Sequence, residues 1–510
     1  MRALNSWLPC VMLAALLPLS SCVPSVSTGV KSSEIHAEHD GRRYRVERVP
    51  KVAGKYQFID AETVRYFPFA TYKIASQDDQ YLYVKQYIVD ARPARPAKPN
   101  SVAPIPPQIA DTAHMSLREF DSGLPHTGQW RDDFAIADMD GDGQLDIVFG
   151  PPRKSFSGPA VYRGDGKGIW QRWAGLQFPS LPYDYGGVAV ADFNGDGIPD
   201  LALGMHLRGV SVLLSDGKGK FTRYDQGLPL GVPGAAQPPT YSTHALAAVD
   251  WNSDGKPDLL TLDEGLLGSN KSGRDGAKVF VNNNGVWIPA DFPVGEGPSP
   301  SANMAVVANL AGVNPQWLIL SRSTDGADVV HMSAGNHWVR RILDDLPHGA
   351  IVRSVAAVAS PRGAGSINLV VAYQLFVADA WHSAIDFFAD EGDRFRRRPL
   401  HDEATRAQFL ALGFGHLASP DSWDLVTLRN DGAMQIYADD GHGFLTRDYA
   451  VPIDAWRTGC AGTAVHLRDL DGDGVDEIVA SFSGEPDALT LRRDCANGGG
   501  IEAWKVVPAQ

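Results

Sequence analysis

Seven times after residue 116 the chain passes through strand, polar loop and strand again, at intervals of 51 to 59 residues, and no other feature constrains its fold as strongly. The clearest copy is residues 187–204, GVAVADFNGDGIPDLALG, in which Val188 and Val190 alternate with small residues as in a buried strand. A loop rich in Asp, Asn and Gly follows, and Leu201–Leu203 resumes an apolar strand. A period of this size indicates a solenoid or a propeller, in which each copy buries its faces only against its neighbours.

The loop has its own chemistry. Asp192, Asn194, Asp196 and Asp200 stand at positions 1, 3, 5 and 9, and Gly197 falls where the chain must turn sharply. A hard cation needs several oxygen ligands, and this spacing aims side chains at one point, so calcium is the expected occupant. An EF-hand would place a bidentate Glu at position 12 between two helices, whereas position 12 here is Leu203 and the flanks alternate like strands. The ligands recur as Asp138, Asp140, Asp142 and Asp146, as Asp250, Asn252, Asp254 and Asp258, and as Asp469, Asp471, Asp473 and Glu477, with Asp476 beside the last set. Copies marked by Asn309, Ser360 and His416 keep the strands and lose these acids, so they are expected to hold no metal.

The pattern D-x-N-x-D-G-x-x-D-L between two small-residue strands resembles the FG-GAP/VCBS repeat. The resemblance covers about Ser116 to Gln510 and implies calcium-bearing blades of a β-propeller like that of the integrin α-subunit head. The expected fold is therefore all-β, a seven-bladed β-propeller over residues 116–510, preceded by a small N-terminal β extension.

Each copy follows one plan. In the second, strand A is Val188–Ala191, B is Leu201–Leu203, C is Val210–Leu214 and D is Phe221–Tyr224. The C–turn–D stretch recurs at VYRGDGKGIW, KVFVNNNGVW, VVHMSAGNHW, IDFFADEGDRF and MQIYADDGHGF, each a Gly/Asp hairpin ending in an aromatic residue. Four strands per copy suit a propeller blade. The last copy stops after strand C at Ile501–Val506, and SLREFDSGLP from Ser116 matches FTRYDQGLP, the strand D segment of the second copy. Pairing the two would remove open strand edges that invite aggregation.

The first 21 residues, with Arg2 and an apolar run from Leu8 to Leu19, read as a secretory signal too short to span a membrane stably. Leu19-Ser20-Ser21-Cys22 resembles a bacterial lipobox, which implies a lipid anchor at Cys22, and Val23 after it resembles outer-membrane sorting. Residues 22–90 are read as a β-rich extension, with GRRYRVERV as one strand and three or four more between Tyr56 and Val89. RPARPAKP and PIPP make residues 91–110 a polyproline spacer. Of the four cysteines, Cys10 leaves with the signal and Cys22 takes lipid, leaving Cys460 and Cys495. Both fall in connections at the end of the seventh copy away from its acidic loop, where an exported chain would bond them.

A net charge of −14 excludes a nucleic-acid partner, which requires a basic face. No G-x-S-x-G elbow, H-E-x-x-H helix, P-loop or dinucleotide fingerprint is present. The face opposite the acidic loops gathers Tyr183, Asp184, Tyr185, His206, Tyr241, His244 and Arg353, with Trp130, Asp263, Glu264, Arg322, Tyr373 and Arg429, as candidate ligand contacts. The expectation is a lipid-anchored, extracytoplasmic binding or scaffold module for a protein or polysaccharide. The alternative is a calcium-dependent polysaccharide lyase, with His206, His244 or Tyr241 near the sugar.

Overall fold

The computed structural model describes residues 35–37, 43–51, 56–58, 63–66, 70–87, 115–151, 158–230, 242–263, 277–290, 304–307, 317–322, 326–332, 338–343, 345–347, 349–359, 366–377, 379–420, 422–438, 449–451, 455–484, 495 and 497–508. The signal, Cys22 and the polyproline spacer lie outside these residues. The chain divides into two compact units, Met1–Ala91 and Arg92–Gln510. No helix among the described residues is long and apolar enough to cross a membrane.

The first unit is a six-stranded antiparallel sheet. Four of its strands fall in the aromatic stretch, at Tyr56–Phe58, Thr63–Tyr66, Ala70–Gln77 and Tyr81–Tyr87, and Ile35–Ala37 and Arg43–Pro50 add two more. The last strand alternates Tyr81, Leu82, Tyr83, Val84, so Leu82 and Val84 point together into a small core with Val64. Asp78 sets the preceding turn by accepting bonds from the Gln80 and Tyr81 amides.

Among its described residues the second unit contains seven four-stranded antiparallel sheets, here I to VII, in which spatial order follows chain order except in the last. Sheet II is built from Val188–Ala191, Asp200–Met205, Gly209–Ser215 and Phe221–Arg223, strands A to D of the expected plan. Sheet I runs from Phe134 to Arg172, III from Thr243 to Ala290, IV from Met304 to Ile342, V from Ile351 to Glu403 and VI from Phe409 to Val451. Sheet VII takes Ala461–Arg468, Glu477–Ser483 and Gly499–Pro508 from the end of the chain, and Met115–Glu119 from the beginning of the unit as its fourth strand. Trp504 there lies opposite Glu119 and Val506 opposite Leu117.

Neighbouring sheets share their cores. Val148 and Val161 of sheet I pack with Leu201, Leu203 and Leu213 of II, and Ala202 and Val212 of II pack with Leu259 and Phe280 of III. Trp338 of IV joins Val249 and Leu260 of III, Val370 and Ile385 of V meet Leu412 and Leu425 of VI, and Val426 of VI meets Ile478 of VII. Val479, Ile501 and Ala503 of VII then pack against Ile147, Phe149 and Tyr162 of I. Strand B of sheet II is buried along all six residues, which explains its unbroken apolar run.

In sheets I and III a tryptophan at the start of strand D latches the sheet to the one before it. Trp170 of sheet I donates from its indole to Phe120 O, just past the fourth strand of VII, and Trp287 of III donates to Tyr224 O of II. Backbone bonds reinforce the latch: Trp170 N donates to Ser122 O and Trp287 N to Gln226 O, both at 2.7–2.8 Å. Gly123 and Gly227 follow these partners with φ +95°, and a Cβ at either would strike the Trp170 or Trp287 carbonyl. The repeated D-x-G-L-P segment is thus a joint between sheets.

Candidate functional site: acidic loops at one end, an aromatic cluster at the other

The A–B connections of sheets I, II, III and VII fold alike, and the alternation of charge with glycine is the cause. In sheet II the position 1 residue Asp192 accepts bonds from the Gly195 and Asp196 amides on Oδ1 and from Gly197 on Oδ2. Asp138 and Asp469 make the same three bonds, and Asp250 makes those to positions 5 and 6. The position 5 carboxylate turns the chain again, with Asp142, Asp196, Asp254 and Asp473 each accepting from the amide two residues on. Positive φ is needed at positions 4 and 6. Gly197 meets it at +84°, while Ser253 holds +60° as a non-glycine at position 4 of sheet III.

Position 9 differs in kind. Asp146, Asp200 and Asp258 are buried, with Oδ2 accepting the position 2 amides of Met139, Phe193 and Trp251. Their Oδ1 atoms accept the strand C amides of Gly164, Ser215 and Asn282. Burial, opposed by these bonds, pushes Asp146 up to about 7 and Asp200 and Asp258 up to about 6. Burial likewise raises Glu477, which accepts from Leu470 N. An acid both buried and ringed by other acids calls for a cation to keep it ionised.

The donor set suits a hard cation. Oxygens of Asp138, Asp140 and Asp146 lie within 4.8 Å of one another, as do those of Asp469, Asp471 and Glu477. In sheets II and III position 3 is an amide, and Asn194 and Asn252 bond to Asp196 and Asp254. In two of the four sheets a basic residue of strand C reaches the loop acids. Arg163 reaches Asp140 Oδ2 at 3.2 Å in sheet I, and in VII Lys505 bonds to Asp471 Oδ2, to Asp473 Oδ2 at 2.7 Å, and lies 2.9 Å from Glu477 Oε1. Although burial pulls the Lys505 ammonium down, those three acids hold it well above the usual lysine range.

Position 9 also survives where the other ligands do not, and the sequence reading passed over it. Sheet VI carries Asp424, buried, accepting from Leu417 N, Ala418 N and Ser422 Oγ, and sheet V carries Asn368, whose Oδ1 accepts Asp390 N. The signal was present as the acid or amide before an aliphatic residue in DI, DL, DL, NL, DL and EI, at 146, 200, 258, 368, 424 and 477. The Asn309 and Ser360 markers lie outside the described residues.

The disulfide joins Cys460 to Cys495 with Cα atoms 4.6 Å apart, just before strand A and just before strand C of sheet VII. It sits at the end of the sheet away from the acidic loop. At the corresponding end of sheet II, the Tyr185 ring stacks on His206 at 4.6 Å and the Arg131 guanidinium lies 5.2 Å from it. Ser242 Oγ, buried just before sheet III, lies 3.3 Å from His206 Nδ1 and accepts Leu207 N. Of the expected contacts the structure thus brings Tyr185 and His206 together, and it adds Arg131 and Ser242.

The other candidates have internal partners. Tyr183 donates to Pro179 O within the core of sheets I and II, Asp184 caps Tyr185 N, and Arg353 donates to Gln374. Trp130 donates to Thr127 O, Tyr373 to Asp386, and Arg429 to Asp431. Tyr241, Glu264 and the side chains of His244, Asp263 and Arg322 lie outside the described residues.

Several solved structures resemble the chain. The BP39L lectin from Burkholderia pseudomallei is 14% identical, with 76% of this chain and 97% of that one covered at a TM-score of 0.43. A PL25 ulvan lyase is 10% identical over 77% and 96% of the two chains at 0.45, and the Dos1 propeller 12% identical over 76% and 94% at 0.40. No curated protein matches in sequence. Residues 138–203, from the first loop acid of sheet I into strand B of sheet II, match the FG-GAP-like repeat.

Proposed function

We propose that sheets I to VII are the blades of one closed propeller whose acidic loops hold calcium, and that the protein presents the opposite face to a protein or polysaccharide partner. Calcium would keep the buried position 9 acids ionised and fasten the A–B turns, which makes that end a stabilising rim. The observation that carries the binding role is the Tyr185–His206–Arg131 cluster, an aromatic and cationic surface held on strand ends and tied to the next sheet through Ser242. Its side chains are engaged with one another, as befits a preorganised contact surface. The signal-like residues 1–21 and the lipobox-like Leu19-Ser20-Ser21-Cys22 support a module outside the cytoplasm, anchored by lipid in the outer membrane.

Binding of the full chain to an array of acidic and neutral polysaccharides tests the reading, with product absorbance followed in the same wells. The expected result is saturable binding that weakens at least tenfold in Tyr185→Ala with no change in thermal transition and no unsaturated product. Rising absorbance from unsaturated sugar would favour the lyase instead. Binding unaffected by Tyr185→Ala removes this cluster as the site.

A further inference from the structure

Counted at positions 1, 3, 5 and 9, the four acidic loops carry equal charge only when strand C is included. At positions 1, 3, 5 and 9 sheets II and III carry three carboxylates and an asparagine, and the strand C residue beside position 9 is Leu214 or Val281. Sheets I and VII carry a fourth carboxylate at position 3, Asp140 or Asp471, and the same strand C site is Arg163 or Lys505. The register makes these positions equivalent, because Leu213, Phe280, Tyr162 and Trp504 each pair with the residue after position 9.

The two cations occupy different places. Arg163 touches one carboxylate, is 38% exposed and lies over the Trp173 ring, so it sits at the rim and leaves the inner oxygens of its loop free. Lys505 is 12% exposed and its ammonium lies among Asp471, Asp473 and Glu477, at the point where their oxygens converge. The position 9 residue suits it: Glu477 is one methylene longer than the aspartates of the other loops, and its Oε1 faces Lys505 where theirs accept a strand C amide.

We propose that Lys505 is the resident cation of the seventh loop and takes the place of a calcium ion there. Resting on the reading that the acidic loops bind calcium, this limits the ions to sheets I, II and III. Calcium needs six or more oxygens at 2.3–2.6 Å, and an ammonium at their centre fills that space while neutralising the ligands. The sheet that joins the two ends of the unit is therefore independent of metal supply, with its disulfide at one end and Lys505 at the other.

Calcium bound per full chain, measured by elemental analysis after equilibrium at fixed free calcium, tests this. The native chain should carry three ions, Lys505→Leu four, and the reciprocal Leu214→Lys two, each checked for a native-like thermal transition. Four ions in the native chain, or an unchanged count in either folded variant, overturns the proposal and leaves the calcium loops standing. Absence of bound ion from the native chain and Lys505→Leu alike overturns both. Should Lys505→Leu fail to fold, the native count and Leu214→Lys decide.

Discussion

The loops of sheets II and VI begin from the same strand ends and close on the same buried residue, yet they are filled differently. In sheet II, Asp192 and Asp196 wrap the turn and leave carboxylate oxygens at its centre. In sheet VI the Ser422 hydroxyl bonds to Asp424 and accepts Ser419 N, and His416 Nδ1 lies 2.6 Å from Ser422 O, so the loop satisfies itself. Asp200 and Asp424 do the same work in both, pinning the position 2 amide beneath the loop. Positions 1, 3 and 5 therefore mark the acidic loops alone, while position 9 serves the fold in both kinds of loop.

The largest effect expected from this division is at position 9. Asp200→Ala leaves the buried Phe193 and Ser215 amides unpaired, and Asp424→Ala leaves those of Leu417 and Ala418 without their carboxylate. At about 1–3 kcal/mol per unsatisfied donor, each should destabilise by roughly 2–6 kcal/mol in chemical denaturation. The Asp424→Ala loss should be the same with calcium or chelator, and a calcium-dependent loss would make sheet VI a metal site.

A smaller effect separates the loops by pH. With chelator present, Asp146, Asp200 and Asp258 have folded-state values near 7, 6 and 6, above their ordinary carboxylate value of 3.8. Their protonated forms favour the fold, so this contribution is complete below about pH 4 and is lost as pH rises through 6 to 7. The melting temperature of the chelated protein should fall by a few degrees from pH 5 to pH 8, and saturating calcium should abolish the fall. An equal fall in both conditions would break the link between these acids and the ion.

Much of this was legible because one plan is written seven times. Strand A of sheet II was read from its alternation to the residue, and the SDGKGK hairpin marked the C–D turn of that sheet. Strand B was read short, since Asp200 at its head is polar and only its two backbone partners show it to be part of the strand. The role of Lys505 was hidden for a different reason: it lies 34 residues from Asp471, and only strand register brings them together. The aromatic at the start of strand D was visible, but its partner is in the preceding copy, which a motif read one copy at a time does not reveal.

The most direct test of the division between ion and fold is the melting temperature of the full chain against free calcium, compared with Asp138→Asn, Asp192→Asn and Asp250→Asn combined. Asparagine keeps an acceptor for the turn amides and removes the charge that attracts the ion. A ligand that binds only the native state at about 100 times its dissociation constant adds about 2.7 kcal/mol per site. The native transition should therefore climb by several degrees as calcium rises, while that of the triple variant does not move with calcium. A native transition that ignores calcium, or a triple variant that still follows it, would contradict the account.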